Sequence, residues 1–173
     1  FTIEDNNEVM DAKADFYVIA GGGKKVGTEI TSIPYAISSP GFYFITKDLT
    51  ITEELYGILV EADNVTIDLM GFSIIGLNTD RNGINIGTHK NVEIRNGTIK
   101  NFGNYAISSS SSGYGHKITN MRIYNNAFGG IVLGGENNEI KNCMVRGSLN
   151  YKGGINVVNG ASIISGNVVT YCA

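Results

Sequence analysis

The sequence predicts an all-β solenoid, in which short strands wind into stacked coils. Three observations carry that prediction. Aliphatic residues recur in three registers at an interval near 24 residues, each register alternates apolar and polar positions over three to five residues, and Gly, Asn and Ser fill the stretches between them. Alternation with period two marks a strand, and a unit of this length cannot bury its own apolar face, so neighbouring units must stack.

The first register runs through Ile58, Ile84, Ile107, Ile131 and Ile155, each preceded by Gly or Ala, at spacings of 26, 23, 24 and 24 residues. The second follows nine to eleven residues behind, through Ile67, Ile94, Ile118, Ile140 and Ile164. The third reads Ile74, Ile99, Ile123, Val145 and Val169. A step of 23 residues back from Ile67 and Ile74 lands on Phe44 and Ile51, which makes Gly41 to Thr46 the first rung. With strands about 4.8 Å apart, roughly five and a half coils give a rod on the order of 25 Å long.

Residues 34–173 therefore form the coils, and residues 1–33 stand outside the repeat. Within that segment Glu4 to Asp15 is acidic and polar, Phe16 to Ala20 reads as a strand, and Ile33-Pro34 leads into the array. It is expected to cap the coils, because an open end exposes strand edges and core side chains. At the other end Val168 to Ala173 stops in an apolar coil without a polar cap. A larger parent chain or another subunit, as in a homo-oligomer, is expected to cover it.

Composition narrows the function. A length of 173 residues suits one unit, 42% of them hydrophobic, with 17% charged residues against about 25% in typical globular chains and 23 glycines, a poor match for a helical bundle. No apolar run approaches the roughly 18 residues of a membrane helix. The net charge of −3, from 13 basic and 16 acidic residues, favours neither nucleic acid nor insertion into an anionic membrane. Two histidines and two cysteines without CxxC spacing exclude zinc fingers, iron–sulfur clusters and thioredoxin chemistry. One repeat before Cys172 stands Ser148 rather than Cys143, so two separate thiols are expected instead of a disulfide. The chain begins with Phe1 and shows no basic segment followed by an apolar one, in keeping with a mature secreted product or an excised piece of a longer chain, the former being the expectation.

The run Asp63-Asn64-Val65-Thr66-Ile67-Asp68-Leu69-Met70-Gly71-Phe72, followed by Asn91-Val92-Glu93-Ile94-Arg95-Asn96-Gly97-Thr98-Ile99, resembles bacterial right-handed parallel β-helix proteins of the pectate-lyase-like superfamily. The resemblance covers about residues 34–173. It implies a right-handed parallel β-helix of five to six coils with an N-terminal cap, at the cell surface or secreted, and an association with polysaccharide. The superfamily holds lyases, glycoside hydrolases, epimerases, phage tailspikes and adhesins, so the resemblance specifies the fold more sharply than the chemistry.

Positions between the inward aliphatics form outward ladders. Beside the second register stand Thr66, Glu93, Lys117, Glu139 and Ile163, with Asp68, Arg95, Thr119, Lys141 and Ser165 next to them. Opposite charges adjoin there and should neutralise one another. Asp68, Glu93 and Arg95 are also the candidate catalytic group, two carboxylates and a cation on one face, as acid/base chemistry on a glycan would require. Superfamily enzymes carry more acidic residues than this, which favours a binding module over a lyase or hydrolase. Beside the third register stand Thr98, Arg122, Met144 and Val168, with Ile75, Lys100, Tyr124, Arg146 and Thr170. Lys100, Arg122, Tyr124 and Arg146 form the candidate substrate-binding strip, in which cations meet uronate or sulfate groups and the ring offers a flat apolar face. The expected partner is an acidic polysaccharide, with no cofactor and no metal. A structural tailspike or adhesin segment, often trimeric, is the further alternative, and the ladder Leu59, Asn85, Ser108, Val132 and Asn156 is partly apolar as such a role would need.

Asn96, Asn120 and Asn142 occupy equivalent turns and predict an asparagine ladder, since Asn tolerates left-handed backbone and can stack on its copies. The sequons at Asn64 and Asn96 read as by-products of that repeat. Gly21 to Thr28 lacks the order of a phosphate-binding loop, Gly134 to Glu139 lacks the calcium-repeat pattern and reads as a turn, and His116 has no second ligand near it. Ser108 to Ser112 with Gly113-Tyr114-Gly115 is a wide polar turn or a binding loop.

Overall fold

The computed structural model describes residues 26–53, 55–78, 81–147 and 153–170. Regular structure among them is entirely β, and the strands pair in parallel to build a solenoid of about five turns. Each turn visits three faces. Face one stacks Tyr35–Ile37, Ile58–Val60, Ile84–Gly87, Tyr105–Ser109, Gly129–Gly134 and Ile155–Val158. Face two stacks Thr28–Glu29, Gly41–Phe44, Val65–Asp68, the first halves of Glu93–Lys100 and Lys117–Tyr124, Asn138–Lys141 and Ser162–Ser165. Face three stacks Leu49–Thr50, Ser73–Ile75, the second halves of the same two long strands, Met144–Arg146 and Val168–Thr170.

All three aliphatic registers align as the sequence predicts. Ile58, Ile84, Ile107, Ile131 and Ile155 pair in series on face one, Ile67, Ile94, Ile118, Ile140 and Ile164 on face two, and Ile74, Ile99, Ile123, Val145 and Val169 on face three. Through Val145 these side chains are at most 1% exposed, and they make one continuous core. The first rung differs from the expectation by a residue or two. Tyr43, not Phe44, pairs with Ile67, and Leu49, not Ile51, pairs with Ile74. Tyr43 can point inward because its hydroxyl reaches back to donate to the Ser39 carbonyl at 2.8 Å, leaving the ring in the core and Phe44 half-buried. Residues 28–30 also join the stack, Thr28 and Glu29 pairing with Tyr43 and Phe44, with Ile30 and Ile33 buried over that end. Phe16 to Ala20 and the glycine run at 21–23 lie outside the described residues.

Left-handed residues turn the corners. Between faces two and three Asn96, Asn120 and Asn142 have φ of 59°, 56° and 54°, the predicted ladder. The same device recurs between faces one and two at Asn64, Asn91 and Asn137, and between faces three and one at Asn101 and Asn125. Asn accepts this conformation at lower cost than other residues with a Cβ. Asn120 Nδ2 donates to Asn96 Oδ1 at 3.2 Å, and Asn91 Nδ2 to Asn64 Oδ1 at 3.0 Å, so the ladders are bonded as well as stacked.

Candidate functional site

Face three carries the predicted strip. Lys100, Tyr124 and Arg146 stand in register on three consecutive rungs, and Arg122 lies two residues before Tyr124 on the same face. Strands alternate side chains, so all four project outward, at rungs about 4.8 Å apart. Arg122 is held in place: Nε donates to Thr98 Oγ1 at 3.2 Å and a terminal nitrogen to the Gly71 carbonyl at 3.5 Å. The Tyr124 hydroxyl meets Met144 Sδ at 3.7 Å. Beside Arg122 opens a depression of about 370 Å³, lined by Asn96, Gly97, Asn120, Asn142 and Met144 among others. None of the ion pairs formed among the described residues includes Lys100 or Arg122.

Sequence reasoning missed what lies across the corner. The turns that return the chain from face three to face one bring Tyr56, Arg81, Tyr105 and Phe128 to one edge. The Arg81 guanidinium sits 5.7 Å from the Tyr56 ring centroid, and the Tyr105 and Phe128 rings meet edge-on at 5.9 Å. Phe128 is 40% exposed, and burial against its neighbours pushes the Tyr105 phenol upward. The four residues recur at 25, 24 and 23 residues, close to the repeat interval, so the available signal was an aromatic or cation at the start of, or just before, four of the face-one strands.

Asp68, Glu93 and Arg95 also come together, as a clamp. Arg95 Nε donates to Asp68 Oδ2 at 2.7 Å, and a terminal nitrogen donates to Glu93 Oε1 at 3.2 Å. Asp68 is buried although its ladder faces outward, because Arg95 and the corner cover it. Its Oδ2 also accepts from Asn96 Nδ2 at 3.1 Å, and its Oδ1 accepts from the Met70 amide at 2.9 Å. The bond to Asp68 raises the Arg95 pKa, with Glu93 adding to it. All three bonds tie the Asp68 carboxylate to its own corner and to the next rung. Glu93, Lys117 and Glu139 stand in register across rungs as expected, and Lys141 adds a pair within its strand: its Nζ meets Glu139 Oε1 at 2.8 Å and, with Lys117 contributing, lowers the Glu139 pKa.

A second polar edge lies between faces one and two. His89 Nδ1 is 3.2 Å from Asp63 Oδ1, which also accepts the Lys90 amide at 3.0 Å, and Lys90 Nζ stands 5.1 Å from the Tyr114 ring centroid. The Lys90 amide first, then His89, depresses the Asp63 pKa. The serine loop beyond is a turn closed by Gly113 donating to the Ser110 carbonyl at 3.1 Å. Within Gly134 to Glu139, Gly135 to Asn137 form the turn between two strands, with Asn138 Nδ2 donating to the carbonyls of Gly134 and Gly135. His116 is 1% exposed, neither ring nitrogen has a hydrogen-bond partner among the described residues, and burial pushes its pKa down to about 4. No group of three or more His, Cys, Asp or Glu among the described residues could hold a metal ion. Cys143 is a buried free thiol whose pKa burial raises, and Cys172 lies outside the described residues.

No family model, curated protein or solved structure matches this chain. The parallel β-solenoid is therefore established by the chain's own strand pairing.

Proposed function

We propose that the protein is a secreted or cell-surface module of the pectate-lyase-like kind that binds an acidic polysaccharide on face three. The observation that carries the reading is the in-register row Lys100, Tyr124, Arg146 with Arg122 beside it, a cationic and aromatic strip on a chain of net charge −3. A polymer lying along the rod meets a new rung about every 4.8 Å. Its anionic groups pair with the cations while a sugar face packs on the Tyr124 ring. The ridge of Tyr56, Arg81, Tyr105 and Phe128 across the corner extends the same chemistry. Asp68, Glu93 and Arg95 serve to tie two rungs together, and catalysis as a lyase or hydrolase has the weaker support because no unengaged carboxylate stands in that group.

Binding to polyuronate should weaken as salt rises, because exposed charges are screened within about 8–10 Å at physiological ionic strength. Tyr124→Ala should weaken it at every salt concentration, since stacking on a ring face is not screened. The Arg122→Ala, Arg146→Ala double variant, titrated against polyuronate and a neutral glycan, is the test. Selective loss on polyuronate supports the strip; equal affinity of parent and variant for both polymers overturns it. Product analysis by mass spectrometry in the same samples reads cleavage.

A further inference from the structure

The corner between faces two and three is longer on one rung than on the next. Four residues separate Asp68 from Ser73, whereas two separate their partners Arg95 and Thr98. The extra length raises a lip. Asp68 Oδ1 accepts the Met70 amide at 2.9 Å, and Met70 takes φ 50°, a left-handed conformation that an apolar side chain adopts at a cost. Met70 is 57% exposed and Phe72 37%, while Leu69 packs so closely on Gly97 that a Cβ there would collide with it. Beyond the lip the corner drops to the asparagine ladder. The depression of about 370 Å³ beside Arg122 runs from Gly71 over Gly97 to Met144, with the buried Met121 and the exposed Met144 as its apolar surface. The bonds of the ladder stop there. Asn96 Nδ2 donates to Asp68 and Asn120 Nδ2 to Asn96, but Asn120 Oδ1 and the Asn142 amide make no hydrogen bond among the described residues. An open acceptor and an open donor therefore line the depression on successive rungs.

We infer that this depression takes the acetamido group of an N-acetylated sugar within the acidic glycan, an inference that rests on the reading of face three as the glycan-binding face. An acetamido group carries an N–H, a carbonyl oxygen and a methyl group, and the depression offers a counterpart to each. The N–H donates to Asn120 Oδ1, the carbonyl accepts from Asn142 Nδ2, and the methyl packs on the thioethers of Met121 and Met144. Arg122 holds the neighbouring sugar. Its Nε and one terminal nitrogen are fixed by Thr98 and Gly71, and the other terminal nitrogen is left to meet a carboxylate. A plain polyuronate satisfies Arg122 but leaves the amides and methionines unmatched. A sulfate ester in the depression brings no N–H to Asn120 and no methyl to the methionines. The favoured polymer is therefore one in which uronate alternates with an N-acetylated sugar.

Calorimetric titration of the 173-residue chain with hyaluronan, in which uronate alternates with N-acetylglucosamine, and with polygalacturonate, which has no acetamido group, tests the inference. Asn142→Gly removes the open amide while keeping a residue that accepts φ 54°, and Asn120→Gly does the same for the acceptor at φ 56°. Each should weaken hyaluronan binding about fivefold, the worth of one hydrogen bond, and leave polygalacturonate binding unchanged. The two positions are tested separately, so one variant reads the site should the other disturb the turn, which circular dichroism reports. Losses equal on both polymers, no loss on either, or a parent that binds polygalacturonate but not hyaluronan overturns the inference and leaves the strip as an acidic-glycan face. A parent that binds neither polymer overturns the reading of face three itself, and the inference with it.

Discussion

His116 shows how one side chain sets a pH limit on the fold. Its neutral ring fits a buried site that offers no partner to a charged one, so its pKa falls from 6.5 to about 4. The sign follows from proton uptake. Above pH 6.5 folded and unfolded chains both hold a neutral ring; between 6.5 and 4 the unfolded chain takes up the proton and the folded chain resists it. Stability therefore falls as the pH drops through this window and levels off below 4, after a total loss of about 3 kcal/mol. His116→Leu should flatten that slope in urea titrations at pH 7, 5.5 and 4. A slope unchanged by the substitution would mean that another group carries the proton. The sequence marked His116 only as an isolated imidazole. Burial was not legible in it, because the residue sits in a turn where alternation no longer tells inside from outside.

Between residue and strand, a recurring device joins successive rungs through buried or half-buried asparagine amides. Asn126, Asn138 and Asn167 each accept the backbone amide of a residue 22 to 24 positions earlier, Phe102, His116 and Cys143 respectively, and Asn82 accepts that of Tyr105, 23 positions later. Asn126 is the fullest case. Its Oδ1 accepts from the Phe102 amide at 3.0 Å, and its Nδ2 donates to the Ile99 carbonyl at 3.4 Å, in a site 1% exposed. Asn126→Leu should cost about 2–6 kcal/mol by leaving two buried backbone groups unpaired, each worth about 1–3. Chemical denaturation reads the loss, and a cost below about 1 kcal/mol would show that water replaces the amide. Asparagines in general signalled turns in the sequence, yet those that face inward to clamp a neighbouring rung share composition with those that bend the chain. The one-residue slip at Tyr43 has a different origin: the first interval is 24 residues rather than 23, and the Tyr43 hydroxyl's reach to Ser39 lets the ring enter the core.

Across the whole molecule, stability should depend on position along the rod, because each coil touches only its neighbours. The interior registers were legible in advance for this reason: Ile118 repeats the environment of Ile94 and Ile140, so the interval itself encodes burial. The ends have no such symmetry, and their exposure could not be read from the period. Ile118→Ala removes atoms from a fully buried site and should cost about 2–5 kcal/mol, counting lost transfer and the cavity left behind. Ile164→Ala, in the same register two rungs on but 50% exposed, loses about half the buried area and leaves no enclosed cavity, so it should cost about 1 kcal/mol or less. Urea midpoints for both variants check this. Equal losses would mean that Ile164 is as well enclosed as the middle of the rod.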